Sequence, residues 1–367
     1  MIENKTIAVV VPAYNEEKQI GMVIETMPSF VDRIVIVNDK SKDGTAEVVK
    51  KYIHDSQYNF TDVVLSSFPN PVIPNRYNEA DVILEKMEKE EIRFYKKQEV
   101  VNTNPDKSRI ILINHLENGG VGAAIASGYK WCKDHRIDCV AVMAGDGQMD
   151  PSELESICRP VLFEDVDYVK GNRLRHPSAK YVIPKIRFFG NSVLSILTKI
   201  ASGYWRVSDT QTGYTAISLR ALQSVKLYEI YPGYGMPNDF LVKLNIAGCT
   251  LKEVTIKPVY RVGEKSKMKI YKVVFRVSWL LIRLFFYRLW MKYFVRDLHP
   301  VFLFYNMGFV LGIINIPYLI KIIKAFVYGT TLSYEPLLAF LFLSVFSFQC
   351  LFFGMWMDFL DNERLYK

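Results

Sequence analysis

Hydrophobic positions in the first half of the chain fall into short unbroken runs rather than helical stripes. Ile7–Val11, Ile34–Val37, Ile110–Ile113 and Cys139–Met143 are wholly apolar, and each gives way to a polar or glycine-containing segment. Runs of this length predict strands buried on both faces. A loop at Ala13-Tyr-Asn-Glu-Glu17 leads into a helix that stops near Pro28. Asn38-Asp-Lys-Ser-Lys-Asp-Gly-Thr45 supplies turn and helix-cap residues, and Glu117 to Ala124 opens a helix running to about Asp134. Tyr168–Gly171 and Leu251–Ile256 read as further strands. Repeated strand–loop–helix units predict an α/β fold, a mostly parallel sheet with helices on both faces. Ligands of such sheets bind at the carboxyl ends of the strands. The loops after Val11 and Val37 lie there, as does Asp146 at the tip of an apolar strand.

Two regions break this rhythm. Residues 54–109 hold the turn-rich Phe68-Pro-Asn-Pro71 and Ile73-Pro-Asn75 and a charged, helical Glu79 to Lys97, so they are expected to form a surface insertion. Near the other end, Val301 to Ile320 and Pro336 to Met357 contain no charged residue. Each is long enough for the roughly 20 residues that cross a hydrocarbon core, with Pro317 expected only to kink the first. The expected organisation is a catalytic α/β domain over 1–257, basic amphipathic helices over 258–298, and two membrane spans with a short tail over 299–367.

The charge pattern adds an orientation. The formal net charge is +8, and the cations crowd just before the first span, from Lys257 through Arg288, Lys292 and Arg296. Val273, Val274, Val277, Leu280, Leu281, Leu284 and Phe285 interleave with them at helical spacing. This predicts helices lying in the membrane interface with Lys and Arg reaching lipid phosphates. The positive-inside rule then puts the catalytic domain and, after two spans, the C-terminus in the cytoplasm. Ile7–Val11 is too short for a secretory leader. The basic balance is therefore assigned to a lipid bilayer and not to nucleic acid. The five cysteines form no C-x-x-C pair, and the five histidines lack ligand spacing and are expected at the surface or in loops.

Several motifs carry candidate chemistry: Val11-Pro-Ala-Tyr-Asn-Glu-Glu17, Asp39 with Asp43-Gly-Thr45, Asn118-Gly-Gly-Val-Gly122, Asp146-Gly-Gln148 with Asp150-Pro151, Gly171-Asn-Arg173, Asp209-Thr-Gln-Thr-Gly-Tyr214 and Gly263-Glu-Lys-Ser-Lys267. In this order, followed by membrane spans, they resemble the family-two glycosyltransferases of the GT-A fold, in the polyprenyl-phosphate branch that includes dolichyl-phosphate mannose and glucose synthases. The resemblance implies transfer of one sugar, with inversion, from a UDP- or GDP-linked nucleotide sugar to a polyprenyl phosphate. It implies that Pro12, Tyr14, Glu16 and Asp39 contact the base and ribose. Asp146 and Gln148 would hold a divalent cation, Mg²⁺ or Mn²⁺, at the diphosphate. Arg173 and Arg187 would hold the acceptor phosphate, Asp209 would sit near the reacting sugar, and Arg261 and Lys267 would lie on a loop over the donor. Ala144 stands where the family often has the first acid of a D-x-D pair. Two other readings are a membrane glycosyltransferase with a glycolipid or polysaccharide acceptor, using Asp209 or Asp239 as a base, and a non-catalytic nucleotide-sugar-binding subunit. A homo-oligomer is compatible with each.

Overall fold

Each apolar run forms a strand, and alternation within the strands builds two cores. A computed structural model describes residues 1–183, 185–259, 270–329, 331 and 333–367, with the side chains of all these except 185–189, 191 and 270–274. The strands are β1 (Ile7–Ala13), β2 (Arg33–Asn38), β3 (Gln98–Val100), β4 (Ile110–His115), β5 (Cys139–Val142), β6 (Tyr168–Asn172), β7 (Thr215–Ser218) and β8 (Leu251–Thr255). They form one sheet in the order β3-β4-β2-β1-β5-β7-β6-β8. Four of the seven pairings are parallel, and the antiparallel ones all involve β3 or β7. Neither of those two strands is an unbroken apolar run, so neither stands out in the sequence.

Helices α1 (Ile20–Glu25), α2 (Thr45–His54), α3 (Ser56–Asn59), α4 (Glu79–Glu90), α5 (Val121–Asp134), α6 (Leu154–Phe163), α7 (Ala179–Val182), α8 (Lys185–Ser202), α9 (Leu219–Ser224) and α10 (Met236–Ile246) flank or extend this sheet. Ile7, Val9 and Val11 of β1 enter one core with α1, α2 and α6. Ala8 and Val10 enter the other with α5, α9 and α10. The period of two along a strand is what sends neighbours to opposite faces.

The 54–109 insertion is more tightly joined to the domain than a surface excursion. Its end, β3, pairs with β4. The buried Arg33 donates to the carbonyls of Val63 (2.6 Å) and Asp106 (2.8 Å). Lys130 and Lys133 of α5, both buried, reach the Glu88 carbonyl (2.8 Å) and the Glu91 carboxylate (3.2 Å). On α4 itself Ile83, Leu84 and Met87 stay exposed.

Beyond the sheet come α11 (Ile270–Trp290), a π-helical turn (Met291–Arg296), α12 (Pro300–Tyr328) and α13 (Tyr334–Glu363). The last two have hydropathies of 1.8 and 2.2 and are long and apolar enough to cross a membrane. They pair as a hairpin: Ser347 Oγ donates to the Gly308 carbonyl (2.8 Å), and Asn315 donates to Ser344 Oγ (2.8 Å). Helix α12 runs through Pro317 without a break. The expected interfacial stripe of α11 is corrected at its end. Val277, Leu281, Phe285 and Leu289 are buried, and Arg288 and Lys292 continue that same inward face. Arg288 forks onto Asp358 of α13 (2.7 and 2.8 Å) and donates to the carbonyls of Ala201 and Ile200. Lys292 pairs with Asp361 (2.9 Å) and donates to Asn362 (2.5 Å). These two cations compensate carboxylates at the end of an apolar helix instead of reaching lipid. After α13 the chain returns to the sheet, where Leu251 donates to the Leu365 carbonyl (2.7 Å) and Lys367 to the Leu251 carbonyl (2.9 Å).

Candidate functional site

The polar ends of β1, β2, β4, β5 and β6 fall on one edge of the sheet, because these strands run in one direction. The loops after β1 and β2 are laced together there. Asn15 and Glu16 amides donate to Ser41 Oγ and Thr45 Oγ1 (both 3.0 Å), and the Glu17 amide donates to Asp43 (3.2 Å). In return Lys42 and Gly44 amides donate to Asn15 Oδ1 (2.8 Å) and Glu17 (3.1 Å). Asp43 and Thr45 thus brace the loops, and Asp43 also accepts from the Thr45 amide (3.1 Å). Tyr14 stands 44% exposed on this brace. The Pro12 carbonyl accepts from the Gly145 amide (3.3 Å) and ties β1 to the loop after β5.

Asp39 lies just beyond β2 and is buried. Its Oδ1 accepts from the Gly119 amide (2.7 Å) and meets His115 Nδ1 (2.8 Å), and its Oδ2 accepts from the Gly120 amide (2.7 Å). Burial pushes this carboxyl up, but the bonds from His115 and the two amides outweigh it and hold the group below the usual range. His115 Nε2 meets Ser127 Oγ (2.9 Å). Asp39 therefore shapes the glycine loop. That loop needs its glycines: a Cβ on Gly120, whose φ is +83°, would lie 2.6 Å from the Pro232 carbonyl oxygen, and one on Gly122 would lie 2.0 Å from that of Tyr231.

Asp146 follows β5. Its Oδ1 accepts from the Gln148 amide (3.0 Å), and burial raises its carboxyl above the usual value, with only backbone bonds opposing. Among the described residues no cation pairs with it, and no group of three His, Cys, Asp or Glu side chains could hold a metal. Asp150 caps the next turn through the Ser152 amide (2.9 Å), as expected of a helix start, and lies 3.4 Å from Lys257.

Arg173 follows β6, and Asp209 precedes the antiparallel β7, so the two meet at the same edge. Arg173 forks onto Asp209 (Nε–Oδ2 2.9 Å, Nη2–Oδ1 3.1 Å), which also accepts the Arg173 amide (3.1 Å). Burial raises the Asp209 carboxyl, but Arg173 and Lys170 outweigh it and hold the group low. Glu253 of β8 accepts the Ser208 (2.8 Å) and Asp209 (3.0 Å) amides and Asn172 Nδ2 (2.9 Å). The buried Lys170 donates to the Thr212 carbonyl (2.9 Å), and burial lowers it to about 8 despite Asp209 and Glu253 nearby. Asp239 is also committed, to the Tyr231 amide (2.8 Å) and Lys243 (2.7 Å).

Of the sequence-derived candidates, the strand-end residues Pro12, Tyr14, Glu16, Asp39, Asp146, Gln148, Arg173 and Asp209 share this edge. Arg187 lies in α8, with its side chain outside the described ones. Arg261 and Lys267 lie outside the described residues. Sequence reasoning missed His115, Lys170 and Glu253, and it placed His115 and the buried His135 at the surface or in loops. His115 had a signal: it ends an apolar strand one residue after Asn114, whose register partner is Asn38. Lys170 sits in the middle of a strand where no cation is expected, which is itself a signal of a buried counter-charge.

A row of polar strand ends at the carboxyl edge of an α/β sheet is where such folds place nucleotides. The chain belongs to glycosyl transferase family 2, whose sequence profile matches residues 8–67 and 89–225. It is a glycosyltransferase. It is 26% identical over 282 residues to the UDP-N-acetylglucosamine–dolichyl-phosphate N-acetylglucosaminyltransferase of Methanococcus voltae, covering 77% of this chain and 96% of that one. It is 25% identical over 279 residues to a dolichyl-phosphate β-glucosyltransferase of Trichomonas vaginalis, covering 72% of this chain and 68% of that one. Glucosyl-3-phosphoglycerate synthase of Mycobacterium tuberculosis superposes with a TM-score of 0.47 at 16% identity, covering 78% of this chain and 80% of that one.

Proposed function

We propose that this glycosyltransferase moves a single sugar from a nucleotide sugar to a polyprenyl phosphate at the cytosolic face of a membrane, with inversion at the anomeric carbon. The observation that carries the reading is the order of groups along the sheet edge. Asp39 lies at β2, Tyr14 and Glu16 at β1, Asp146 at β5 and the Arg173–Asp209 fork at β6 and β7. Neighbouring strands are spaced by about 4.8 Å, so two strand steps, about 10 Å, separate β2 from β5 and again β5 from β6. Base and ribose, diphosphate, and acceptor phosphate follow one another over such distances. Tyr14, Glu16 and Asp39 would take the base and ribose, with Pro12 joining the two loops.

A divalent cation fits the carboxylate at β5. Asp146 is a hard oxygen donor whose charge has no partner cation among the described residues. Mg²⁺ is commonly held by one or two carboxylates plus substrate phosphates. Asp146 and Gln148 would hold it, and its contribution would be to neutralise the departing diphosphate. The chain's own residues orient the reactants. Arg173 is aimed by a buried carboxylate and would receive the lipid phosphate, together with Arg187, while Arg261 and Lys267 would cover the donor. An acceptor phosphate oxygen bonds to the anomeric carbon as its bond to the diphosphate breaks, and the nucleoside diphosphate leaves. The phosphate is already anionic at neutral pH, so positioning matters more than a base.

The membrane side supports the same acceptor. Helix α8, which follows the Arg173 loop, exposes Val193, Ile196 and Leu197, and α11 exposes Phe275, Trp279, Ile282, Phe286 and Trp290. These apolar faces suit an interfacial position beside the hairpin. A sugar-hydroxyl acceptor would need a base, and Asp209 and Asp239 are both buried and engaged with cations, which favours the phosphate. The test is transfer in nanodiscs, pairing polyprenyl phosphate or a glycolipid with UDP- and GDP-sugars and Mg²⁺ or Mn²⁺. Asp146→Ala is expected to abolish transfer while leaving the fold intact. Near-normal turnover in that variant, or transfer only to the glycolipid, would overturn the reading.

A further inference from the structure

A second polar site lies at the opposite edge of the sheet, where β8 begins. The turn before β8, the π-helical turn, the start of α12 and the end of α13 enclose a cavity of about 410 Å³. Its walls carry Lys292, Arg296, His299 and Arg364, with Asp297 and Asp361 as the acids. Lys292 is engaged with Asp361 (2.9 Å). The two arginines are held more loosely. Among the described residues Arg296 makes one hydrogen bond, to the Ile246 carbonyl (2.9 Å), and pairs at 3.9 Å with Asp297. Arg364 reaches Asp361 only at 3.5 Å. Their side chains are 57% and 76% exposed. A guanidinium has five N–H donors, so most of these donors have no protein acceptor among the described residues. The amino end of the 29-residue α12 adds its partial positive charge.

The depth of the cavity selects the ligand. His299 caps the start of one apolar helix, and Asp361 and Arg364 stand at the end of the other. With both helices spanning a membrane, the cavity would sit where they leave the apolar layer, at the level of lipid phosphates, and basic pockets at this depth bind anionic head groups. It is separated from the acceptor residues by the length of the sheet, since Leu251 begins β8 while Arg173 follows the far end of its parallel neighbour β6. We infer that this cavity binds the phosphate of an anionic phospholipid in the leaflet next to the catalytic domain. The inference rests on α12 and α13 spanning the membrane, and not on the identity of the sugar acceptor.

The test uses the detergent-purified full chain and native mass spectrometry, titrating phosphatidylglycerol, phosphatidylcholine and inorganic phosphate. Phosphatidylglycerol is expected to bind in preference to phosphatidylcholine, and inorganic phosphate is expected not to compete. Arg296→Gln and Arg364→Gln should each weaken phosphatidylglycerol binding about fivefold. Arg364→Gln, at an exposed position, guards against a folding defect, and sugar transfer should persist in both variants. Equal binding of the two lipids, no effect of either substitution, or displacement by inorganic phosphate would each overturn the assignment. Release of the wild-type chain from membranes by alkaline carbonate would overturn the spanning premise and the lipid site with it, while leaving the sugar-transfer reading to its own assay.

Discussion

Replacing Asp358 by Ala strands a cation inside the protein. Arg288 is 1% exposed and gives Asp358 two charged hydrogen bonds, of 2.7 and 2.8 Å, while Tyr293 Oη gives a third of 2.6 Å. Without the carboxylate, the hydrogen bonds left to Arg288 among the described residues go to the carbonyls of Ala201 and Ile200, which with the Tyr293 ring 5.6 Å away satisfy donors but carry no countercharge. Removing one member of a buried pair costs about 3–5 kcal/mol. Unfolding entropy grows with length, so for a chain of 367 residues a kilocalorie moves the melting temperature by about 1–2 °C, and a fall of about 3–10 °C is expected. The assay is thermal unfolding of the purified chain in detergent, followed by tryptophan fluorescence. The double variant Arg288→Met with Asp358→Leu separates the pair from its neighbourhood. It should recover most of the loss, because an apolar replacement of a buried pair is often neutral, and Tyr293 retains Asp361 at 3.1 Å. A fall of less than about 2 °C in Asp358→Ala, or a double variant no more stable than the single one, would refute the reasoning.

Three further outcomes are expected. Gly122→Ala should cost about 1–3 kcal/mol in denaturant unfolding, because its Cβ would meet the Tyr231 carbonyl oxygen at 2.0 Å, and a gain in helix propensity of about 1 kcal/mol offsets only part of this. The lowered Asp39 carboxyl stabilises the fold above the ordinary carboxyl pKa, and this contribution is lost as pH falls through the lower folded value. Asp39→Asn should therefore be less stable at neutral pH, and its melting temperature should fall less on acidification. Lys170 is lowered to about 8, so above that pH the unfolded chain binds more protons than the folded one. This term of the stability rises with pH from about 8 towards 10.5, and a comparison of melting against pH for wild type and Lys170→Met should show the rise only in the wild type.

The parallel half of the sheet was legible because a strand buried on both faces leaves a continuous apolar run, as in Ile34–Val37. The antiparallel strands were not, since Gln98–Val100 is an edge and Thr215–Ser218 is short and mixed. Asp146 was readable as an acid at a strand end, and Arg173 through the motif Gly171-Asn-Arg173. Their partners were not, because a partnership such as Arg173 with Asp209, or Asp39 with His115, depends on strand order and spans 36 or 76 residues. The basic stretch before the first apolar helix shows the same limit. Its charges suggested a face towards lipid, yet Arg288 and Lys292 lie on the helical continuation of Val277, Leu281 and Phe285. Their spacing held the information that their charge obscured.

The return of the chain to β8 has a consequence for biogenesis. Leu251, Arg288 and Lys292 all precede the hairpin, while their partners Asp358, Asp361 and Asn362 lie in the last turns of its second helix and Leu365 and Lys367 just beyond it. During synthesis the sheet domain must wait, with an open sheet edge and two uncompensated cations, until both apolar helices have been made. A chain that inserted only one of them would hold its closing segment on the wrong side of the bilayer. On the proposed two-span reading, topology would be checked by the domain that depends on it, and a misinserted molecule would present an unfinished sheet edge to quality control rather than a working enzyme.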